Sequence, residues 1–76
     1  MSEIVGIYVR LIGEGVDVWR PVQAEHLGDN LYRIVTQPYD QTIESWQFEP
    51  GDEVWCEIID SSDGRILAAI RRVDNR

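Results

Sequence analysis

The sequence predicts an all-β domain, a small five-stranded barrel, on three observations. Apolar residues recur at every second position along most of the chain. Short breaks containing Gly, Pro, Asp or Asn separate those runs, as hairpin turns require. No stretch of about ten residues carries an apolar stripe at helical spacing.

The first strand is Val5, Ile7, Val9 and Leu11 alternating with Gly6, Tyr8 and Arg10. Gly13-Glu14-Gly15 ends it with two residues that accept positive φ. Val16, Val18, Val22 and Ala24 then alternate with Asp17, Trp19, Gln23 and Glu25. Pro21 lies inside that second run, which predicts an edge or a bulge, because proline donates nothing to a ladder. Gly28-Asp29-Asn30 reads as a hairpin turn, and Leu31 to Thr36 as the third strand.

Gln37 to Ser45 reads as a loop in preference to one turn of helix over 40–46, and Trp46 and Phe48 face the same way. Pro50-Gly51-Asp52 is a tight turn. In the fourth strand Val54, Cys56 and Ile58 face inward, and Trp55, Glu57 and Ile59 outward. Asp60 to Gly64 is a hairpin loop, Ile66 to Val73 the closing strand, and Asp74 to Arg76 a fraying end. Five short strands bury one face only by curling into a bent barrel of the SH3-like kind. An OB-type barrel is the rival, but it carries a helix for which Gln37 to Ser45 is too short and too polar.

Length and composition narrow the classes of function. The 76 residues (1–76) are one domain, and a hydrophobic fraction of 43% is globular. No apolar run approaches the roughly 18 to 20 residues of a membrane span, and no secretory signal opens the chain. The single cysteine cannot form an internal disulfide and suits a reducing compartment, so a cytoplasmic location is expected.

The run Gly13-Glu14-Gly15-x-Asp17-Val18-Trp19-Arg20-Pro21-Val22, with Ala24-Glu25 and Leu31-Tyr32-Arg33-Ile34, resembles a family of short uncharacterised bacterial proteins sharing a GEGxDVWRPV signature. The resemblance covers most of the chain and implies a small cytoplasmic bacterial β protein, with no activity to transfer. A weaker likeness, through Trp19, Tyr32 and Pro50-Gly51-Asp52, is to SH3-like barrels of the Tudor and KOW types. That likeness implies a module that binds partners without catalysis.

Catalytic chemistry is poorly supplied. One histidine and one cysteine cannot build a structural zinc site. Asp60, Asp63 and Glu57 offer oxygens but lack the alternating acids of a calcium loop. Cys56, between Val54 and Ile58, reads as a buried thiol, and His26 as a solvated turn residue. Gly13-x-Gly15 lacks the third glycine and following helix of a phosphate cradle. No catalytic residue, metal or cofactor is expected.

The surface is more informative. Seven Lys+Arg, all arginine, oppose fourteen Asp+Glu, for a net charge of -7. None of the arginines lies between Arg33 and Arg65, a gap holding Asp40, Glu44, Glu49, Asp52, Glu53, Glu57, Asp60 and Asp63. Direct nucleic-acid binding through that half is unfavourable, because such affinity comes from neutralising phosphates. A solvated surface accounts for the charge, and so does an acidic face that steers a basic partner. Alternation turns Tyr8, Trp19 and Trp55 outward, where they cap a barrel end, lie under the 37–45 loop or anchor a partner.

The leading expectation is a protein-interaction module binding a protein partner or a second copy of itself. Its contact residues are Tyr8, Trp19 and Trp55, with Arg20 and Arg10 at the rim and Asp52, Glu53 and Glu57 supplying charge selectivity. The alternative is an acidic inhibitor or nucleic-acid mimic occupying a basic groove. A small carrier with a pocket near 37–45, and an aromatic cage of Trp19, Tyr32, Tyr39 and Asp40, are lesser readings.

Overall fold

The inward positions of the alternating runs meet in one interior. In the computed structural model, which describes residues 3–62 and 64–73, they lie on five strands. These are β1 (Glu3–Arg10), β2 (Trp19–Gly28), β3 (Leu31–Ile34), β4 (Glu53–Ser61) and β5 (Gly64–Arg72). Consecutive strands pair antiparallel, and β5 returns to β1 through a parallel contact at Tyr8 and Ala68. The result is a small closed SH3-like barrel, all-β, with no helix among the described residues. None there is therefore long and apolar enough to cross a membrane. Asp63 of the predicted hairpin loop and the predicted frayed end, Asp74 to Arg76, lie outside the described residues.

Ile7, Val9, Val22, Ala24, Tyr32, Ile34, Val54, Cys56 and Ala69 fill the interior from all five strands. Closure matters here because a sheet this small has no other way to bury its apolar face. One inward assignment fails. Ile58 is 60% exposed. The β4–β5 register shifts between Trp55 and Cys56, and β3 pairs with β4 only as far as Trp55. Beyond that point β4 pairs, among the described residues, with β5 alone, save that the Cys56 N–H donates to the Asn30 carbonyl at 2.9 Å. The hairpin extends past the end of β3.

Pro21 occupies the open edge that proline requires. The Leu11 N–H donates to the Val18 carbonyl at 2.9 Å, which sets the phase of the β1–β2 ladder. In that phase the backbone groups of Trp19, Pro21 and Gln23 point away from β1, and β3 reaches β2 only from Ala24 onward. The missing donor of Pro21 thus falls where no partner strand runs. The Gln37 side chain closes the next position. Its Oε1 accepts from the Gln23 N–H at 3.1 Å, and its Nε2 donates to the Gln23 carbonyl at 2.9 Å. Both devices blunt the edge against strand addition.

The expected loop, Gln37 to Ser45, lies within a longer irregular segment, 35–52, because β3 ends at Ile34 and not at Thr36; the segment turns at 41–43 and at 50–51. It also completes the core. Trp46 and Phe48 point the same way and are each 6% exposed. Residues 45–47 run along the end of β1, with Ile12 N–H donating to the Ser45 carbonyl and Gln47 N–H to the Arg10 carbonyl, both at 2.8 Å. Gly51, at φ 97, makes the tight turn that returns the chain to β4.

Removing either buried ring should cost far more than removing an exposed aliphatic. Phe48→Ala is expected to lower unfolding free energy by about 3–5 kcal/mol, whereas Ile43→Ala, at a site 77% exposed, should stay within about 0.5 kcal/mol. Urea denaturation of the two variants measures the difference.

Candidate docking surface

Tyr8 and Trp19 come together on the outside of the barrel wall. Because Ile7 and Val9 point in, Tyr8 and Arg10 point out, and the register sets Tyr8 opposite Pro21 and Arg10 opposite Trp19. Across the closing seam Tyr8 pairs with Ala68, and Ala68 with Glu57. Pro21, Tyr8, Ala68 and Glu57 therefore form one row across four strands. Ala68 is fully buried yet stands apart from the interior core cluster. By register its side chain shares the outer face of the wall with Tyr8.

Both rings are half-buried. They wall a recess of about 200 Å³ together with Val18, Ser61, Ser62 and Ile66. A neighbouring recess of about 350 Å³ has Trp19, Ile59, Asp17 and Asp60 on its walls. The β4–β5 hairpin, not the 37–45 loop, is the element that faces these rings. Its freedom to do so follows from the loss of β3 pairing beyond Trp55.

The other residues expected at the contact surface lie elsewhere. Trp55 sits between Leu31 and Arg71 in the register, and the Arg71 guanidinium carbon is 5.7 Å from its ring centroid. Asp52 Oδ2 accepts from the Glu49 N–H at 2.9 Å and from Arg72 Nη2 at 3.3 Å. Glu53 lies 3.9 Å from Arg33, which also pairs with Glu25. Glu57 is exposed and has no ion pair among the described residues.

Arg20 does not rim the Tyr8–Trp19 face, because a residue next to Trp19 on a strand points to the opposite side. Its Nε and Nη2 instead donate to Glu44 Oε1 and Oε2, each at 2.7 Å. Glu44 Oε1 also accepts from the Trp46 indole N–H at 2.8 Å, so one carboxylate ties β2 to the long loop. These donors hold the Glu44 carboxyl below the ordinary carboxylate range, Arg20 contributing more than Trp46. The same hydrogen bond raises Arg20. Sequence reasoning missed this pair, whose members are 24 positions apart with no periodic signal linking them.

Reactive groups are sequestered. Cys56 is fully buried, and burial pushes its thiol up to about 12, leaving almost no thiolate at neutral pH. His26 is more than a solvated turn residue. Its ring stacks on Tyr32 with centroids 4.7 Å apart, and its Nε2 donates to the Asp29 carbonyl at 2.7 Å. Among the described residues no three His, Cys, Asp or Glu side chains gather where they would hold a metal. The aromatic cage is not assembled, since Tyr32 is in the core, Tyr39 stacks on Trp46 at 4.4 Å, and Trp19 is outside the wall. Near the 37–45 loop, two adjoining grooves of about 350 and 430 Å³ share Pro21, Gln37 and Pro38.

Comparison with known proteins finds no matching family model, no matching curated protein and no matching solved structure.

Acid should loosen the long loop. Because Glu44 is held below its ordinary value of 4.5, its contribution is complete above that pH. It is lost as pH falls through the lower folded value. Glu44→Gln should remove much of this acid sensitivity and speed hydrogen exchange of the Trp46 indole N–H by up to about fivefold at neutral pH, the range that surface ion pairs reach. NMR exchange measurements on both proteins across the acid range test this.

Proposed function

We propose that this barrel is a non-enzymatic protein-interaction module that docks a partner protein on the face carrying Tyr8 and Trp19. The observation that carries the reading is the pair of recesses walled by these rings and by Ile59 and Ile66, outside the barrel core. Large aromatics presented in grooves are the usual anchors of interfaces, because they supply much contact area at low entropic cost. Sequestration of Cys56 and the structural use of His26 favour contact over chemistry.

The charge that selects the partner lies at the rim of this face. Asp52 and Glu53 lie away from Tyr8 and Trp19, so the acidic side chains at this face are Asp17, Glu57 and Asp60. A second reading, an acidic inhibitor or nucleic-acid mimic, draws support from the pairing of the described arginines. Arg10, Arg20, Arg33, Arg65 and Arg72 each meet a carboxylate, and Arg71 meets Trp55. The excess negative charge therefore faces outward.

Affinity capture with the tagged full chain separates the two readings. A docking module should lose its bound partner by about thirtyfold or more on Trp19→Ala, as a hot spot does. Raising salt from about 0.05 to 0.5 M should change its binding only modestly. A partner indifferent to Trp19→Ala and released by salt would overturn the docking reading in favour of the mimic.

A further inference from the structure

The recess beside Trp19 has a chemistry specific enough to name what enters it. We infer that the cleft between Asp17 and Asp60 receives an arginine side chain of the docking partner. The inference rests on the docking reading above and specifies its ligand. The walls are Asp17, Trp19, Ile59, Asp60, Ser61 and Ser62, enclosing about 350 Å³. They combine an indole, an aliphatic side, two hydroxyl groups and two carboxylates, with no basic side chain among them.

These carboxylates are held more weakly than Glu44 or Asp40. Glu44 is gripped by two nitrogens of Arg20 and by the Trp46 indole. Asp40 accepts from both the backbone and the hydroxyl of Thr42. Asp17 meets Arg10 through a single contact at 3.0 Å, the two side chains being 68% and 52% exposed. Asp60 meets Arg65 at 3.5 Å, with exposures of 87% and 79%. Pairs this exposed and singly bonded contribute little and exchange readily. An incoming guanidinium can displace them without leaving any charge buried and unpaired.

Charge complementarity and shape both favour arginine. The chain carries -7 overall, and both rim groups are acidic, so a cation is drawn in and an anion repelled. A planar guanidinium stacks on an indole while its edge forks to a carboxylate, which a compact ammonium cannot do. A bound metal is a poorer fit, because calcium takes about six to eight oxygen ligands, and among the described residues no three His, Cys, Asp or Glu side chains gather where they would hold one.

The test is NMR titration of the full chain, at about 0.15 M salt, with an acetylated and amidated tri-arginine peptide. Tri-lysine and tri-glycine serve as controls. Saturable movement of the Trp19 indole N–H, with the Trp46 indole unmoved, is expected, and tri-lysine should bind at least about threefold more weakly. Asp17→Asn combined with Asp60→Asn should weaken tri-arginine by about tenfold. Both sites are exposed, and unchanged core methyl resonances would verify the fold. Non-saturating shifts spread over Asp40, Glu49 and Glu57, or unchanged affinity in the double variant, would overturn the inference. A captured partner lost on Trp19→Ala but retained by the double variant would sink the arginine cleft and leave the docking reading standing. Tri-arginine bound at Trp19, with a captured partner indifferent to Trp19→Ala, would do the reverse.

Discussion

A barrel wall one strand thick has only two sides, and in a chain of 76 residues both are put to use. Every second side chain faces the interior, and the rest face water, a neighbouring element or another molecule. The interior is small enough to be filled by aliphatic residues, one tyrosine and a cysteine, with two rings supplied by the long loop. Bulky groups on the opposite parity cannot enter without slipping a strand by one residue, which would expel its whole inward set. Tyr8 and Trp19 are held outside by the same constraint that holds Ile7 and Val9 inside.

What those outward rings do next depends on the β4–β5 hairpin. Pairing with β3 ends at Trp55, so the hairpin extends past the end of β3 and exposes Ile58 while placing Ser61, Ser62 and Ile66 around Tyr8 and Trp19. At another part of the barrel the segment 35–52 inserts Trp46 and Phe48 into the core, and Glu44 fastens it to Arg20. The two excursions have opposite consequences. One completes the core, and the other builds recesses against Tyr8 and Trp19 outside it.

Much of this was legible in the sequence because alternation, turn chemistry and proline placement are local signals. Strand order, the edge position of Pro21, the burial of Cys56 and the shared direction of Trp46 and Phe48 follow from residues a few positions apart. The same signals turn Tyr8 and Trp19 outward together. What escaped depends on register and closure. Ile58 shares the inward parity of Cys56 yet is exposed, because β3 pairing stops at Trp55 and nothing in the sequence marks that end. Alternation itself sets Arg20 on the side opposite Trp19, so placing it at the aromatic rim misreads a local signal, whereas its pairing with Glu44, in a loop without periodicity, has no sequence mark. The stacking of His26 on Tyr32 needs the β2–β3 register, in which the two are opposite.

Proximity labelling from within the recess examines the central claim most directly, namely that the outer face around Trp19 meets another protein. A photo-crosslinking phenylalanine would be placed at Ser62, and in a parallel experiment at Ile43 on the loop. A discrete adduct formed from position 62, absent from position 43 and abolished when Trp19→Ala is added, is the predicted result. Adducts of equal yield from both positions, or one that survives loss of the indole, would contradict the account.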